Sequence, residues 1–188
     1  MDNSNDNNSN IKKILIKEEN NNINSIKQIN YEKEIKMRVE TKTWGLNKEE
    51  LSHEMQLQIL NTLQDDTLDK NKYSSKIIAH IKTKITSYKQ QDTIKKRFNE
   101  NLFTEFEEII GLLKKCEMKC HYCSHEVYIL YERVREMKQW SLDRINNDIG
   151  HNKDNLVVAC LDCNLKRRRT NKDAFMFTKN LVITREGI

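Results

Sequence analysis

Four cysteines stand in two close pairs, Cys120-His-Tyr-Cys123 and Cys160-Leu-Asp-Cys163. Each pair offers two thiolates from one tight turn, and two such pairs suit a tetrahedral Zn²⁺. In a chain that shows no secretion signal, cysteines grouped this way read as metal ligands and not as disulfides. The 36 residues between Cys123 and Cys160 exceed the spacing of a simple zinc ribbon. The insert carries Asp143, His151 and Asn155, and Asn164 follows the last cysteine directly. Cys116, the fifth cysteine, reads as a small buried residue at a helix end.

The stretch WSLDRINNDIGHNKDNLVVACLDCNLKRRR, from Trp140 to Arg169, resembles the zinc-containing HNH endonucleases of the ββα-metal class. The resemblance covers roughly residues 116–175, with the zinc pairs and the polar residues in the family's order. In that family an Asp-His pair ends the first strand, an Asn sits in the loop that follows, and CxxCN opens a helix. The resemblance therefore implies a structural Zn²⁺ on Cys120, Cys123, Cys160 and Cys163. It implies a catalytic Mg²⁺ or Mn²⁺ held by Asp143 and Asn164, with Asn155 orienting the loop or the base by hydrogen bonding. It also implies DNA as the substrate.

Position 144 departs from the family. The general base is usually the His after the metal-binding Asp, and here the pair is Asp143-Arg144. An arginine accepts no proton at neutral pH. The Leu-Asp-Arg-Ile form looks like a branch of the family met in phage and large-virus proteins. Arg144 either meets the scissile phosphate or forms a surface salt bridge. His151, four residues before Asn155, is a candidate for the displaced base, against the plainer reading of an exposed loop histidine. His121, inside the first cysteine pair, and His125, two residues after it, read as outer groups of the zinc site, or as a ligand swap at His125. A metal-bound water that loses its proton unaided is the remaining option.

Phosphodiester hydrolysis needs a nucleophilic water, neutralised phosphate charge and help for the leaving oxygen. One hard ion on a carboxylate and an amide oxygen supplies the last two. Zinc would stay in the thiolate site as a staple, because so small a module buries too little apolar surface to hold itself.

The net charge is +5, and it is concentrated: Lys166, Arg167, Arg168, Arg169 and Lys172 lie within nine residues that hold no acid. Directly after CxxCN, such a run is a footprint for phosphate binding. The bland alternatives are a solvated helix face or a nuclear-import signal. No signal peptide stands out, and no apolar run approaches the roughly 18–20 residues that span a bilayer. The expected setting is intracellular, cytoplasmic or nuclear, with a viral origin among the options, and without membrane contact.

These residues need a scaffold. Residues 1–36 are a low-complexity tail rich in Asn, Lys and Glu, expected to be disordered. Residues 37–115 read as helical. Asn47, followed by acids, suggests a helix start, and Leu51, Met55, Ile59 and Leu63 repeat every fourth residue. A second helix is expected over about 74–90, with Ile77, Ile78, Ile81, Ile85 and Tyr88 on one face. A third is expected from about Asp92 to Lys115, with Phe98, Leu102, Phe106, Ile109, Ile110 and Leu113 inward. Residues 116–188 then form the zinc module: strands over 140–145 and 156–159, a helix from Asp162 to about Phe177, and Leu181–Thr184 as a further strand or a packing segment. Val127–Tyr131 is β-prone, and residues 131–140 suit a helix equally. The expected class is thus α+β, an N-terminal helical region followed by a small zinc-stapled ββα-metal (HNH) module. Two functions stand side by side: a metal-dependent HNH-type DNA endonuclease, or an inactive HNH-like zinc module that binds nucleic acid or a protein partner.

Overall fold

The computed structural model describes residues 13–16, 35–63 and 72–185. Its elements are β1 (Lys13–Ile16), α1 (His53–Thr62), α2 (Lys72–Ile94), α3 (Phe106–Lys115), β2 (Trp140–Arg144), β3 (Leu156–Cys160), α4 (Leu161–Arg167), α5 (Lys172–Lys179) and β4 (Val182–Arg185). The class is mixed α and β. β2 and β3 pair antiparallel, with Trp140 opposite Cys160 and Asp143 opposite Val157. α4 begins on the residue after β3. No helix among the described residues is long and apolar enough to cross a membrane.

Several boundaries differ from the sequence expectation. α1 starts at His53, where the Ser52 hydroxyl accepts from the Met55 amide at 3.3 Å. Asn47 and Glu50 do exchange reciprocal side-chain-to-amide bonds, but around an isolated turn that α1 does not continue. The buried line of α1 is His53, Gln56 and Leu60, while Leu51, Met55, Ile59 and Leu63 flank it half-buried. Gln56 is tolerated at full burial because every polar atom is used. Its Oε1 accepts from the Ile129 and Leu130 amides at 2.8 Å each, and its Nε2 donates to the Leu51 and Leu130 carbonyls at 2.9 and 3.0 Å.

α2 runs through Asp92 to Ile94, so Asp92 closes the second helix and does not open the third. α3 begins only at Phe106, behind a capping box in which Glu105 and Glu108 satisfy each other's amides. The segment between runs through turns and is tied to the β2–β3 loop: Thr104 N donates to His151 O at 2.9 Å, and Lys153 N to Leu102 O at 3.0 Å. The helix expected from 162 to 177 is two helices. Arg168 takes φ 51° at the end of α4, and Asn171 caps α5 by accepting from the Asp173 amide at 2.8 Å. Residues 127–131 form no strand, and residues 131–139 form turns and bends, tied by one bridge between Tyr128 and Gln139 and another between Arg133 and Met37. Residues 13–16, expected within the tail, form β1, which pairs in parallel with β4 at the other end of the chain. Residues 1–12 and 17–34 of that tail lie outside the described residues.

One apolar cluster runs from Trp44, Leu60, Ile77 and Ile81 through Ile109, Leu113 and Val127 to Trp140, Leu142 and Val158. The helices therefore form one wall of the core under β2 and β3.

Candidate functional site

The cysteine cluster is assembled from two local devices. Lys119 and Glu126 bridge across the first pair, Cys120 N donates to His125 O at 2.8 Å, and Ser124 turns with φ 56° and donates its amide to Cys120 O at 2.9 Å. That is a tight knuckle. The second pair opens α4, where Cys160 is the N-cap residue and its sulfur accepts from the Cys163 amide at 3.4 Å. His121 N donates to Val158 O at 2.8 Å and docks the knuckle on β3.

All four sulfurs then lie within 4.8 Å of one another. Cys123 Sγ and Cys160 Sγ are 3.9 Å apart. Sulfurs about 2.3 Å from a tetrahedral Zn²⁺ sit about 3.8 Å apart, so the cluster fits the ion. The charge balance agrees. The hydrogen bond from Cys160 pulls the Cys120 thiol down to about 4, while Cys160 itself is pushed up by that bond and Cys163 is pushed up to about 12, chiefly by burial. The cluster readily holds one negative charge and resists the others, and a divalent cation is what would bring all four to thiolate. His125 lies outside this cluster: its Nδ1 is 2.9 Å from Cys123 O and the residue is exposed.

Asp143 sits at the end of β2, only 4 % exposed, and both its oxygens are engaged. Oδ1 is 2.7 Å from Arg167 Nη1, and Oδ2 accepts from Tyr122 OH at 2.6 Å. Arg167 is 1 % exposed and also donates to the carbonyls of Arg144 and Ile145, at 2.7 and 2.9 Å. This corrects one expectation, the surface placement of Arg167. Arg167 faces the interior beneath β2 and is not a surface phosphate contact, and the Asp143 carboxylate is closed by the chain's own cation. Asn164 stands beside it, and its Nδ2 donates to Ser141 Oγ at 3.1 Å and Leu142 O at 3.3 Å, which fixes α4 to β2.

His151 is buried and not an exposed loop residue. Its Nδ1 lies 3.0 Å from both oxygens of Asp92, which is itself fully buried, and its own amide donates to Asp92 Oδ2 at 2.6 Å. Tyr88 stacks on the ring at 4.4 Å. Burial lowers the His151 pKa, partly opposed by the Asp92 charge, so the ring is neutral near pH 7. A carboxylate facing Nδ1 requires the proton there, which leaves Nε2 as the acceptor. Gly150 makes this packing feasible: a Cβ there would stand 2.8 Å from Asp92 Oδ2 and 2.6 Å from Arg97 O. Asn155 pins the same loop. It accepts from Asn146 N at 2.8 Å and donates to the Asn146 and Gly150 carbonyls at 2.9 and 3.0 Å.

Arg144 points to the same pair, with Nη1 3.7 Å from Asp92 Oδ1 and 3.2 Å from Ile149 O. Burial lowers its pKa. Lys166, Arg168 and Arg169 are exposed, and Lys172 is half-buried. Lys166 pairs with Asp162 at 2.8 Å, Arg169 with Asp148 at 2.9 Å and Lys172 with Asp173 at 3.8 Å.

Sequence reasoning missed Asp92, Tyr88 and Tyr122. A signal existed for the first two. Ile77, Ile81, Tyr88 and Asp92 share one helical stripe, and a carboxylate in an apolar stripe demands a buried partner. No family model, curated protein or solved structure matches the chain.

Proposed function

We propose that the chain is a DNA-binding module of HNH-like ββα architecture, stapled by Zn²⁺ on Cys120, Cys123, Cys160 and Cys163, and without a hydrolytic metal. The observation that carries this reading is the double engagement of Asp143 by Arg167 and Tyr122. Mg²⁺ or Mn²⁺ at this carboxylate would have to displace a buried guanidinium that also serves two backbone carbonyls. The displaced charge would have no other partner, and an unpaired buried charge is strongly unfavourable. The arginine at position 144, where the resemblance places a base, agrees with a binding role.

DNA contact falls to the cations outside the fold, Lys166, Arg168, Arg169 and Lys172, around the turn between α4 and α5. Their present ion pairs are largely exposed. Such pairs are worth about 0–1 kcal/mol, so phosphate oxygens compete with them effectively. The contacts read backbone charge and carry no base code.

A second reading, DNA hydrolysis, is favoured by the Asp92–His151 pair. A buried carboxylate holding Nδ1–H and leaving Nε2 bare is the arrangement that readies an imidazole as a general base.

Zinc-loaded protein on supercoiled plasmid separates the two. Binding without nicking in Mg²⁺ or Mn²⁺ is expected. Joint Arg168→Ala and Arg169→Ala substitution should weaken binding alike for unrelated sequences and reduce the salt slope by about one per lost contact. Nicking that His151→Ala slows by about 10²–10⁴ would establish hydrolysis instead. No DNA binding at low salt would sink both readings.

A further inference from the structure

The first residue of α1 turns its ring inward, toward the zinc knuckle. His53 is 7 % exposed. Its Nε2 lies 3.2 Å from the Met118 carbonyl oxygen, which can only accept, so the proton is on Nε2. Nδ1 forms no hydrogen bond among the described residues. What it faces is the carboxylate of Glu126, with Oε1 at 3.9 Å. The Glu54 carboxylate completes the group, and the three ligand atoms all lie within 4.8 Å of one another.

Two carboxylates and a ring nitrogen converging on one point call for positive charge, from a bound cation or from a second proton on the imidazole. Among the described residues, no lysine or arginine forms an ion pair with Glu54 or Glu126, and Lys119, opposite Glu126 across the knuckle, directs its ammonium to Glu117 at 2.7 Å. The remaining partners are oriented as ligand supports are. The Met118 carbonyl fixes the imidazole tautomer, and Tyr128 OH donates to the second oxygen of Glu126 at 3.0 Å.

We propose that His53, Glu54 and Glu126 form a second divalent-cation site, distinct from the thiolate cluster, for an ion of the Zn²⁺ or Mn²⁺ class. One imidazole and two carboxylates suit such ions, with solvent completing the shell. Ligand atoms about 2.0–2.2 Å from an ion lie about 3–3.5 Å apart, so the group closes by roughly 1 Å on binding. The imidazole is fixed by burial, while Glu54 is exposed and Glu126 is half-exposed, so two surface rotamers make the adjustment. The ion would clamp the start of α1 to the loop that follows the knuckle.

The test uses full-length protein with one zinc already on the thiolates, titrated with Mn²⁺ while the electron paramagnetic resonance signal of free Mn²⁺ is followed. One Mn²⁺ per chain should disappear from the free signal. Glu126→Gln and Glu54→Gln should each weaken uptake by at least about tenfold, with zinc content and circular dichroism unchanged. Glu107→Gln, an exposed acid on α3, should leave it unchanged. No uptake of Mn²⁺ or of a second Zn²⁺ at roughly millimolar ion would overturn the site. So would uptake that both glutamine variants leave intact.

Discussion

Removing the Asp143 carboxylate should destabilise the protein far more than a surface substitution would. In Asp143→Ala the Arg167 guanidinium stays buried at 1 % exposure with two carbonyl acceptors but no counter-charge. Tyr122 OH also loses its acceptor. Breaking a buried ion pair from one side costs about 3–5 kcal/mol, and an orphaned buried hydroxyl adds about 1 kcal/mol or more. The expected loss is therefore about 4–6 kcal/mol, a large share of the roughly 5–15 kcal/mol that holds a domain. Zinc-saturated protein unfolded in urea, with the slope compared between variants, gives the number. A double variant, Asp143→Ala with Arg167→Met, removes both charges and keeps most of the buried volume. It should recover at least about 2 kcal/mol of that loss, although the Arg144 and Ile145 carbonyls then lack a donor. A single-variant cost below about 1 kcal/mol would refute the reasoning. It would mean that the pair is open to water and that Asp143 is free to take an external ion.

Stripping zinc with a chelator should unfold the segment around the knuckle and α4, read as lost helix signal that returns with added Zn²⁺, because four converging thiolates are unstable without a cation. Gln56→Leu should cost about 3–5 kcal/mol in thermal or urea unfolding, since the Ile129 and Leu130 amides both lose their acceptor in a sealed interior. Acid should weaken the fold through His80, whose pKa burial lowers to about 4, with the charges of Arg38 and Lys84 adding to it. Its folded value lies below its unfolded value of about 6.5, so the unfolded chain binds more protons between the two. Stability from this group is full above about pH 6.5 and is lost as pH falls toward about 4. His80→Gln should flatten that part of the profile, measured as unfolding free energy against pH with zinc release followed separately.

The amino-acid sequence determined the four-cysteine cluster almost alone. Two CxxC pairs form their turns from local geometry, and only sulfur chemistry is needed to read them as one site. β2 and β3 were legible through the resemblance to the ββα unit, which placed strands over 140–145 and 156–159 where Trp140–Arg144 and Leu156–Cys160 pair. The helical stripes placed α2 within a few residues and the inward Ile109, Ile110 and Leu113 of α3, although α3 starts well after the expected Asp92. Tertiary structure decided everything that depends on a distant partner. Arg167 reads in sequence as one of five neighbouring cations, and only the fold puts it beneath β2 against Asp143, 24 residues away. His151 reads as a loop histidine until α2 delivers Asp92 across 59 residues to bury it. The strand at β1 requires a partner near the other end of the chain. Local propensity sees hydrogen bonds that close within a turn. It cannot see a buried charge that is tolerated only because an opposite charge, remote in sequence, meets it in an interior of low dielectric.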